Sequence, residues 1–234
     1  GGFAEVSGAR NLTFAGNADL SAPIGSFGTL LLDPTDIEIR NGAGVGTNDA
    51  TLPTVLEPGD TGAPFVIYEQ TLEGLGAGAA ITLQASNNIT IQNLADNELT
   101  LGRSITFLAD SDGNGVGNFL MNAGDRIAAP GRDITINAAS ITAGDIDAST
   151  ASSQNGGSII LSASRGNISA GSSISSGSGV ASGNAGAGGI IDIRAPLGNV
   201  SIAGNVDSRS VSLGTLLAGN ARNAGNMVVH QSVV

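Results

Sequence analysis

The chain repeats itself along its length. Residues 156–169 and 188–201 align at a shift of 32 positions, with two leading glycines, an apolar residue, and a Gly-Asn pair matched in each copy. A third copy, one residue shorter, begins at Gly1. Self-similarity at such a period is typical of stacked units, each of which buries its apolar face only against its neighbours. The repeat therefore predicts an elongated stack of similar units.

Each unit carries an apolar-x-apolar-x-small pattern. The copies start at Ala4, Ile81, Ile105, Ile134, Ile159 and Ile191. Alternate side chains of a β-strand share one face, so the apolar residues of this pattern and of the strand after it should point together into a core. The predicted interior residues are Ile81, Leu83, Ile89, Ile91, Ile134, Ile136, Ile159, Leu161, Ile168, Ile191, Ile193 and Val200.

A second short strand follows seven to nine positions later, and a third follows in several copies. Three short strands with small-residue corners predict an all-β fold, a right-handed parallel β-helix of roughly seven coils with protruding loops and without helix. An Asn opens the second strand in four copies, at Asn11, Asn88, Asn167 and Asn199. The favoured interpretation is a ladder of amides bonding successive coils; the alternative is N-glycosylation, since each Asn also starts a sequon.

The domain prediction is a single β-helix segment over residues 1–234, cut from a longer repeat protein. Residues 39–77 interrupt the pattern with Asn41-Gly42 and three prolines, and we expect a loop-rich excursion there. Residues 147–157 and 171–189 are rich in Ser and Gly and are predicted to be loops.

Charge and composition exclude several classes of partner and chemistry. The chain has 20 acidic and 9 basic residues and a net charge of -11, so we expect no nucleic-acid partner. There is no Cys, which removes disulfides and thiolate sites. Gly contributes 36 residues and aromatics only 3%, which favours a thin core between close-packed sheets.

Three stretches resemble the filamentous-haemagglutinin-like exoproteins of the two-partner secretion class, particularly the cyanobacterial ones. They are Gly1-Gly2-Phe-Ala-Glu-Val-Ser-Gly, residues 28–39 around Thr-Leu-Leu-Leu-Asp-Pro, and the run from 133 to 161. The resemblance implies a right-handed β-helix that is exported through an outer-membrane transporter. It would be secreted or displayed at the cell surface as an adhesin.

That resemblance sets the functional expectation. The chain should be a structural or adhesive segment without catalysis of its own. Its expected partners are glycans or proteins on the surface of a host or neighbouring cell. The last residues, 227–234, read as an apolar strand without charge, so end-to-end self-association of the segment is a further expectation.

One local motif suggests a bound cation. Calcium is the only cofactor that the sequence leads us to expect. Asp110, Asp112, Asn114 and Asn118 place oxygen-bearing side chains at alternate positions around Gly115, as in the front of a calcium loop. The twelfth position is Met121 instead of the bidentate Glu, and a strand precedes the motif. The motif therefore has two interpretations, a calcium-binding loop or a polar turn between coils.

The second alternative is a β-helical enzyme that acts on polysaccharides. Outward acidic and basic residues on adjacent coils would have to supply paired carboxylates. The candidates are Asp133, Asp145, Asp147, Asp192, Arg194 and Asp207. They do not cluster in the repeat and aromatic platforms for sugars are scarce, so solvated surface charges are the favoured interpretation. His230, the single His, has no recognisable base or nucleophile beside it in the sequence.

Overall fold

The structure is a computed structural model. It describes residues 3–7, 29–33, 36–43, 65–76, 78, 80–180, 184–212 and 225–231. The first elements are β1 (Phe3–Ser7), β2 (Thr29–Asp33), β3 (Ile37–Arg40), β4 (Phe65–Tyr68), α1 (Glu69–Gly74), β5 (Ile81–Gln84), β6 (Ile89–Ile91) and β7 (Glu98–Thr100). Next come β8 (Ile105–Leu108), β9 (Asn118–Met121), β10 (Arg126–Ala128), β11 (Ile134–Ala138), β12 (Ser140–Thr142) and β13 (Asp145–Asp147). The last are β14 (Ile159–Ala163), β15 (Ile168–Ala170), β16 (Ser173–Ser175), β17 (Ser178–Val180), β18 (Ile191–Ala195), β19 (Val200–Ile202), β20 (Asn205–Asp207), β21 (Ser210–Ser212) and β22 (Met227–Gln231).

The strands form parallel sheets that the chain visits in turn. The first sheet has eight strands in the order β1-β2-β5-β8-β11-β14-β18-β22, the second has the order β19-β15-β12-β9-β6-β3-β4, and the third has the order β20-β16-β13-β10-β7. From β5 to β20 the chain passes repeatedly from first to second to third sheet, which defines the coils of a parallel β-helix. The predicted fold is confirmed, and within the described residues the longest sheet holds eight strands, close to the seven coils expected.

The strand register agrees with the sequence repeat. Ile134 pairs with Ile105 on one side and with Ile159 on the other, and Ile159 pairs with Ile191 at the predicted shift. The predicted interior residues are buried, apart from Val200, which is partly buried. Their alternation follows from strand geometry, since successive side chains point to opposite faces.

The backbone of successive coils comes close together at the corners. A Cβ added to Gly157 would lie 1.9 Å from the carbonyl oxygen of Arg132 on the preceding coil. Gly189, one coil further, would place its Cβ 2.1 Å from the carbonyl oxygen of Gly157. No side chain fits at either place, so these glycines let the corners stack.

The central part of the predicted excursion 39–77, residues 44–64, lies outside the described residues, and the prediction of a loop-rich segment is not tested there. The described residues of this segment include β4, which pairs in parallel with β3 at the edge of the second sheet, followed by the short helix α1. The expectation that helix is absent is therefore wrong at 69–74. Six residues are too few for an amphipathic period to show, and packing of the buried Leu72 stabilises the turn instead.

Helix α1 covers the end of the third sheet. The Glu73 carboxylate accepts the backbone N–H of Thr100 on β7, with 2.9 Å between the oxygen and the nitrogen. The guanidinium of the buried Arg103 donates to the carbonyls of Leu75 and Gly76 after the helix. The Thr100 N–H at the edge of β7 is thus satisfied by a side chain where another strand would otherwise pair.

The Ser/Gly-rich residues 171–189, predicted as a loop, instead contain β16 and β17. β17 pairs with β21 to form a small fourth sheet, and Thr150 bridges to Ser178 beside it. Ile174 and Ser176 are fully buried, so small residues here belong to the packed wall of the coil. In the described part of the chain, helices long and apolar enough to span a bilayer are not found.

Candidate functional site

The predicted calcium loop lies between β8 and β9. Asp110 has a φ of +57° and its side chain is mostly buried. Its Oδ1 accepts the backbone N–H groups of Gly115 and Val116, with N–O distances of 2.8 and 3.3 Å. The first carboxylate of the motif therefore holds the backbone of its own turn.

The other predicted ligands are also engaged. Asp112 accepts both the backbone N–H and the side-chain amide of Asn114, at 3.2 and 2.8 Å. The Asn114 Oδ1 accepts the N–H of Val116 at 2.9 Å. These bonds describe a polar turn that satisfies its own donors.

Asn118 opens β9 at the end of this turn, and its Nδ2 donates to the carbonyl oxygen of Val116 at 2.9 Å. Its backbone N–H donates to Oδ1 of Asn88 on the preceding coil at 2.9 Å, and its own Oδ1 accepts the hydroxyl of Ser140 on the next coil. Among the described residues no three His, Cys, Asp or Glu side chains lie close enough to hold a metal. Calcium binding stays a prediction, with Asp110 and Asp112 as the carboxylates that would have to supply it.

The predicted Asn ladder is confirmed in part along this corner, where Ser140 takes the equivalent position on the coil between Asn118 and Asn167. Asn88 donates in turn to Asp36, and the backbone N–H of Asn199 donates to Oδ1 of Asn167 at 2.8 Å. The amides that open the second strands therefore bond one coil to the next. Asn11, the remaining member of the predicted set, lies outside the described residues.

The outward charges of the third sheet form a local network. Arg126 on β10 pairs with Glu98 on β7 and with Asp147 on β13, the latter at 3.3 Å between Nη1 and Oδ2. Asp145 accepts the backbone N–H of Ser173 at 2.9 Å. Burial would raise the pKa of Glu98, but hydrogen bonds from Thr100 and Arg126 outweigh it and hold that pKa below its usual value. The Glu98 carboxylate therefore stays ionised at neutral pH, and all three carboxylates bond to partners from their own sheet.

Of the remaining enzyme candidates, Asp207 shares the third sheet with Asp145 and Asp147, and the other three lie elsewhere. Asp192 and Arg194 pair with each other on β18 of the first sheet. Asp133 accepts the backbone N–H of Ser158 at 2.8 Å at a corner. Asp207 lies on β20 of the third sheet, and His230 is an exposed residue of β22 opposite Arg194. The structure does not bring the six predicted residues to one face.

Two features escaped the sequence analysis. One is Asp125, a buried carboxylate that accepts the backbone N–H of Leu94 at 3.0 Å and so links two coils. The other is a groove of about 270 Å³ between the third and fourth sheets, lined by Ser149, Thr150, Ala151, Ser175, Gly177, Ser178, Gly179, Asp207, Arg209 and Val211. The fourth sheet creates this groove, and its short Ser/Gly strands carried no readable alternation.

Comparison of the chain with protein-family models, with curated proteins and with solved structures gives no significant match. The likeness to filamentous-haemagglutinin-like exoproteins therefore rests on the sequence motifs given above, and function must be argued from the geometry.

Proposed function

We propose that this chain is a structural and adhesive segment of a large bacterial exoprotein of the filamentous-haemagglutinin-like kind, secreted or held at the cell surface. The observation that carries the proposal is the eight-stranded first sheet, whose strands stack in parallel register from β1 to β22. At a strand spacing of about 4.8 Å these eight strands span about 34 Å, so the fold is a short rod. A rod that grows by adding coils is suited to extending a binding surface away from a cell.

The outer faces support this interpretation. Thr82, Thr106 and Thr135 pair in sequence across β5, β8 and β11, and form one outward column of short hydroxyl side chains. Such side chains lose little rotamer freedom when a ligand or partner covers them. Surfaces of this kind, regular and already ordered, favour attachment at many points over a single deep site.

The charges fit a surface without catalytic chemistry of its own. A general acid or base needs a carboxylate that is within reach of substrate and has a shifted pKa. Here Asp147 is paired with Arg126, Asp192 with Arg194, and Asp145 holds a backbone N–H of the neighbouring coil. These roles are ones that a stable rod requires.

An adhesion assay tests the proposal. Latex beads coated with the segment should bind to bacterial and eukaryotic cells in a panel, whereas beads coated with albumin should not. The same preparation should release no reducing sugar from neutral or acidic polysaccharides. Turnover of any polysaccharide in the panel, abolished by Asp147→Asn, would show an enzyme instead. Failure of the beads to bind any cell would contradict the adhesive role.

A further inference from the structure

The groove between the third and fourth sheets follows the corner of three successive coils. It runs beside the residues that follow β13, β16 and β20, and its volume is about 270 Å³. Small-molecule sites in proteins typically enclose about 300–1,000 Å³, so this groove holds only a short piece of a ligand. Because it is open at the surface, a longer chain molecule can continue beyond it.

The lining of the groove mixes polar and aliphatic side chains. On the third-sheet side lie Ser175 and Asp207, which face each other on adjacent strands, with Arg209 following. The aliphatic side chains of Ala151 and Val211 also line the groove, beside the hydroxyl groups of Ser149 and Thr150. A ligand that fits must combine hydroxyl groups with apolar C–H groups.

Gly179 keeps the groove open without being required by the fold. A Cβ at Gly177 would lie 2.8 Å from the carbonyl oxygen of Arg209, so packing demands glycine there. A Cβ at Gly179 would meet only the carbonyl oxygen of Val211, at 3.7 Å, which is ordinary contact. Ser178 beside it is buried, so strand alternation directs position 179 outward into the groove.

The charged pair in the groove is balanced. Arg209 donates through Nε and Nη2 to Asp207, with 2.7 Å between Nη2 and Oδ2, and its side chain is 76% exposed. The hydrogen bond from Arg209 holds the pKa of Asp207 below its usual value, so both groups are ionised at neutral pH. The pair offers acceptors and donors to a ligand while adding no net charge, in a protein of net charge -11 that repels polyanions.

We propose that this groove binds neutral oligosaccharides. Sugar rings combine hydroxyl groups with apolar C–H faces, and this combination matches the mixed lining of the groove. The inference rests on the proposed adhesive function and names a ligand class for it. The groove lacks an aromatic side chain, so each site binds weakly, and attachment to a cell gains strength from many copies acting together.

The test uses the segment 1–234 and defined probes. An array printed with neutral β-glucan, mannan, galactan and chito-oligosaccharides is compared with oligogalacturonate and heparin fragments. The best neutral probe is then titrated by calorimetry against the wild type, Gly179→Leu, Asp207→Asn and the control Ser169→Leu. Ser169 is exposed on β15, so the control adds the same side chain outside the groove. Circular dichroism and thermal unfolding confirm that each variant is folded.

We expect neutral probes to be retained in preference to the charged ones. Gly179→Leu should weaken binding of the neutral probe at least about tenfold, because the leucine side chain fills the groove. Asp207→Asn should also bind the probe more weakly than the wild type. Ser169→Leu should bind it with unchanged affinity. Preference for uronate or sulfated probes, absence of binding by the wild type, or wild-type binding by Gly179→Leu overturns the inference. Coated beads separate the two proposals: adhesion that persists in Gly179→Leu refutes the groove alone. Oligosaccharide binding without cell adhesion refutes the adhesive function alone.

Discussion

Two parts of the rod reach the same architecture by different means. The proximal coils, residues 81–147, have three sheets and enclose large side chains such as Phe107 and Phe119, whose ring centroids lie 5.2 Å apart. The distal coils, residues 159–212, contain no aromatic residue and add the fourth sheet. Their interior holds Ile, Leu and Ala together with buried serines such as Ser176, whose hydroxyl donates to the Gly189 carbonyl at 3.0 Å.

The comparison teaches that coil stacking does not depend on one kind of core. Proximal coils bury large apolar area, which stabilises at roughly 25 cal/mol per Å². Close backbone approach at glycines occurs in both parts, as at Gly144 and Gly189, but the distal coils contain more such glycines and also use hydroxyls that satisfy buried carbonyls. Truncation of a core side chain should therefore destabilise the proximal coils most. Addition of a side chain at a glycine should destabilise the distal coils most.

The largest effect is expected for Phe107→Ala in the proximal coils. Phe107 is fully buried and its ring packs against Phe119, so truncation removes apolar contact and leaves a cavity. We expect a loss of about 3–5 kcal/mol in the free energy of unfolding, measured by urea denaturation. A loss below about 1 kcal/mol would mean that the coil collapses around the cavity and that the stability of the proximal core does not depend on side-chain volume.

Ile159→Ala probes the first strand of the distal coils. Ile159 is fully buried, and we expect a loss of about 2–5 kcal/mol. The neighbour Ile160 points outward and is 38% exposed, so Ile160→Thr serves as the matched control. That control should change stability by no more than about 0.5 kcal/mol. Equal losses in both variants would contradict the register.

Gly189→Ala tests sensitivity to added volume. Its Cβ would lie 2.1 Å from the carbonyl oxygen of Gly157, so the two coils must separate. We expect a destabilisation of about 1–3 kcal/mol by thermal or urea unfolding. Gly179→Ala, whose Cβ makes only ordinary contact, should lie within about 0.5 kcal/mol of the wild type. If the two variants lose the same amount of stability, the close approach of the coils at Gly189 does not limit the side-chain volume there.

The smallest effect concerns the proximal ion pair of Arg126 with Glu98. The folded-state pKa of Glu98 is lowered, so its contribution to stability is present above the unfolded pKa of about 4.3 and is lost as pH falls through the folded pKa. Arg126→Gln should cost less than about 1 kcal/mol at pH 7, because both side chains are partly exposed. Urea unfolding at pH 7 and pH 3 checks this; a cost that persists at pH 3 argues against the pair.

The sequence predicted what depends on strand alternation. Ile81, Ile134 and Ile191 follow a period of two, and their inward direction needed no tertiary information. Helix α1 was missed because its six residues are positioned by packing on β7. The fourth sheet was missed because Ser178-Gly179-Val180 has no apolar alternation.

The candidate site was less predictable for a different reason. The oxygens at Asp110, Asp112 and Asn114 have the spacing of a cation loop, but spacing does not reveal which donors they face. In the folded chain they accept backbone or amide N–H groups of the same turn. Likewise, the neutral groove exists only because three coils stack, so residues from 149 to 211 meet there.

The parallel stacking of the first sheet has a mechanical consequence. Hydrogen bonds between coils, such as those joining β5, β8 and β11, run along the rod, so tension applied at its two ends acts on all of them in series. Such a ladder opens by peeling, one coil at a time. The coil from Ile81 to Ile105 lengthens to about 80 Å when its bonds are lost. Under flow or pulling, the segment would act as an extensible tether that dissipates load in steps before its attachment breaks.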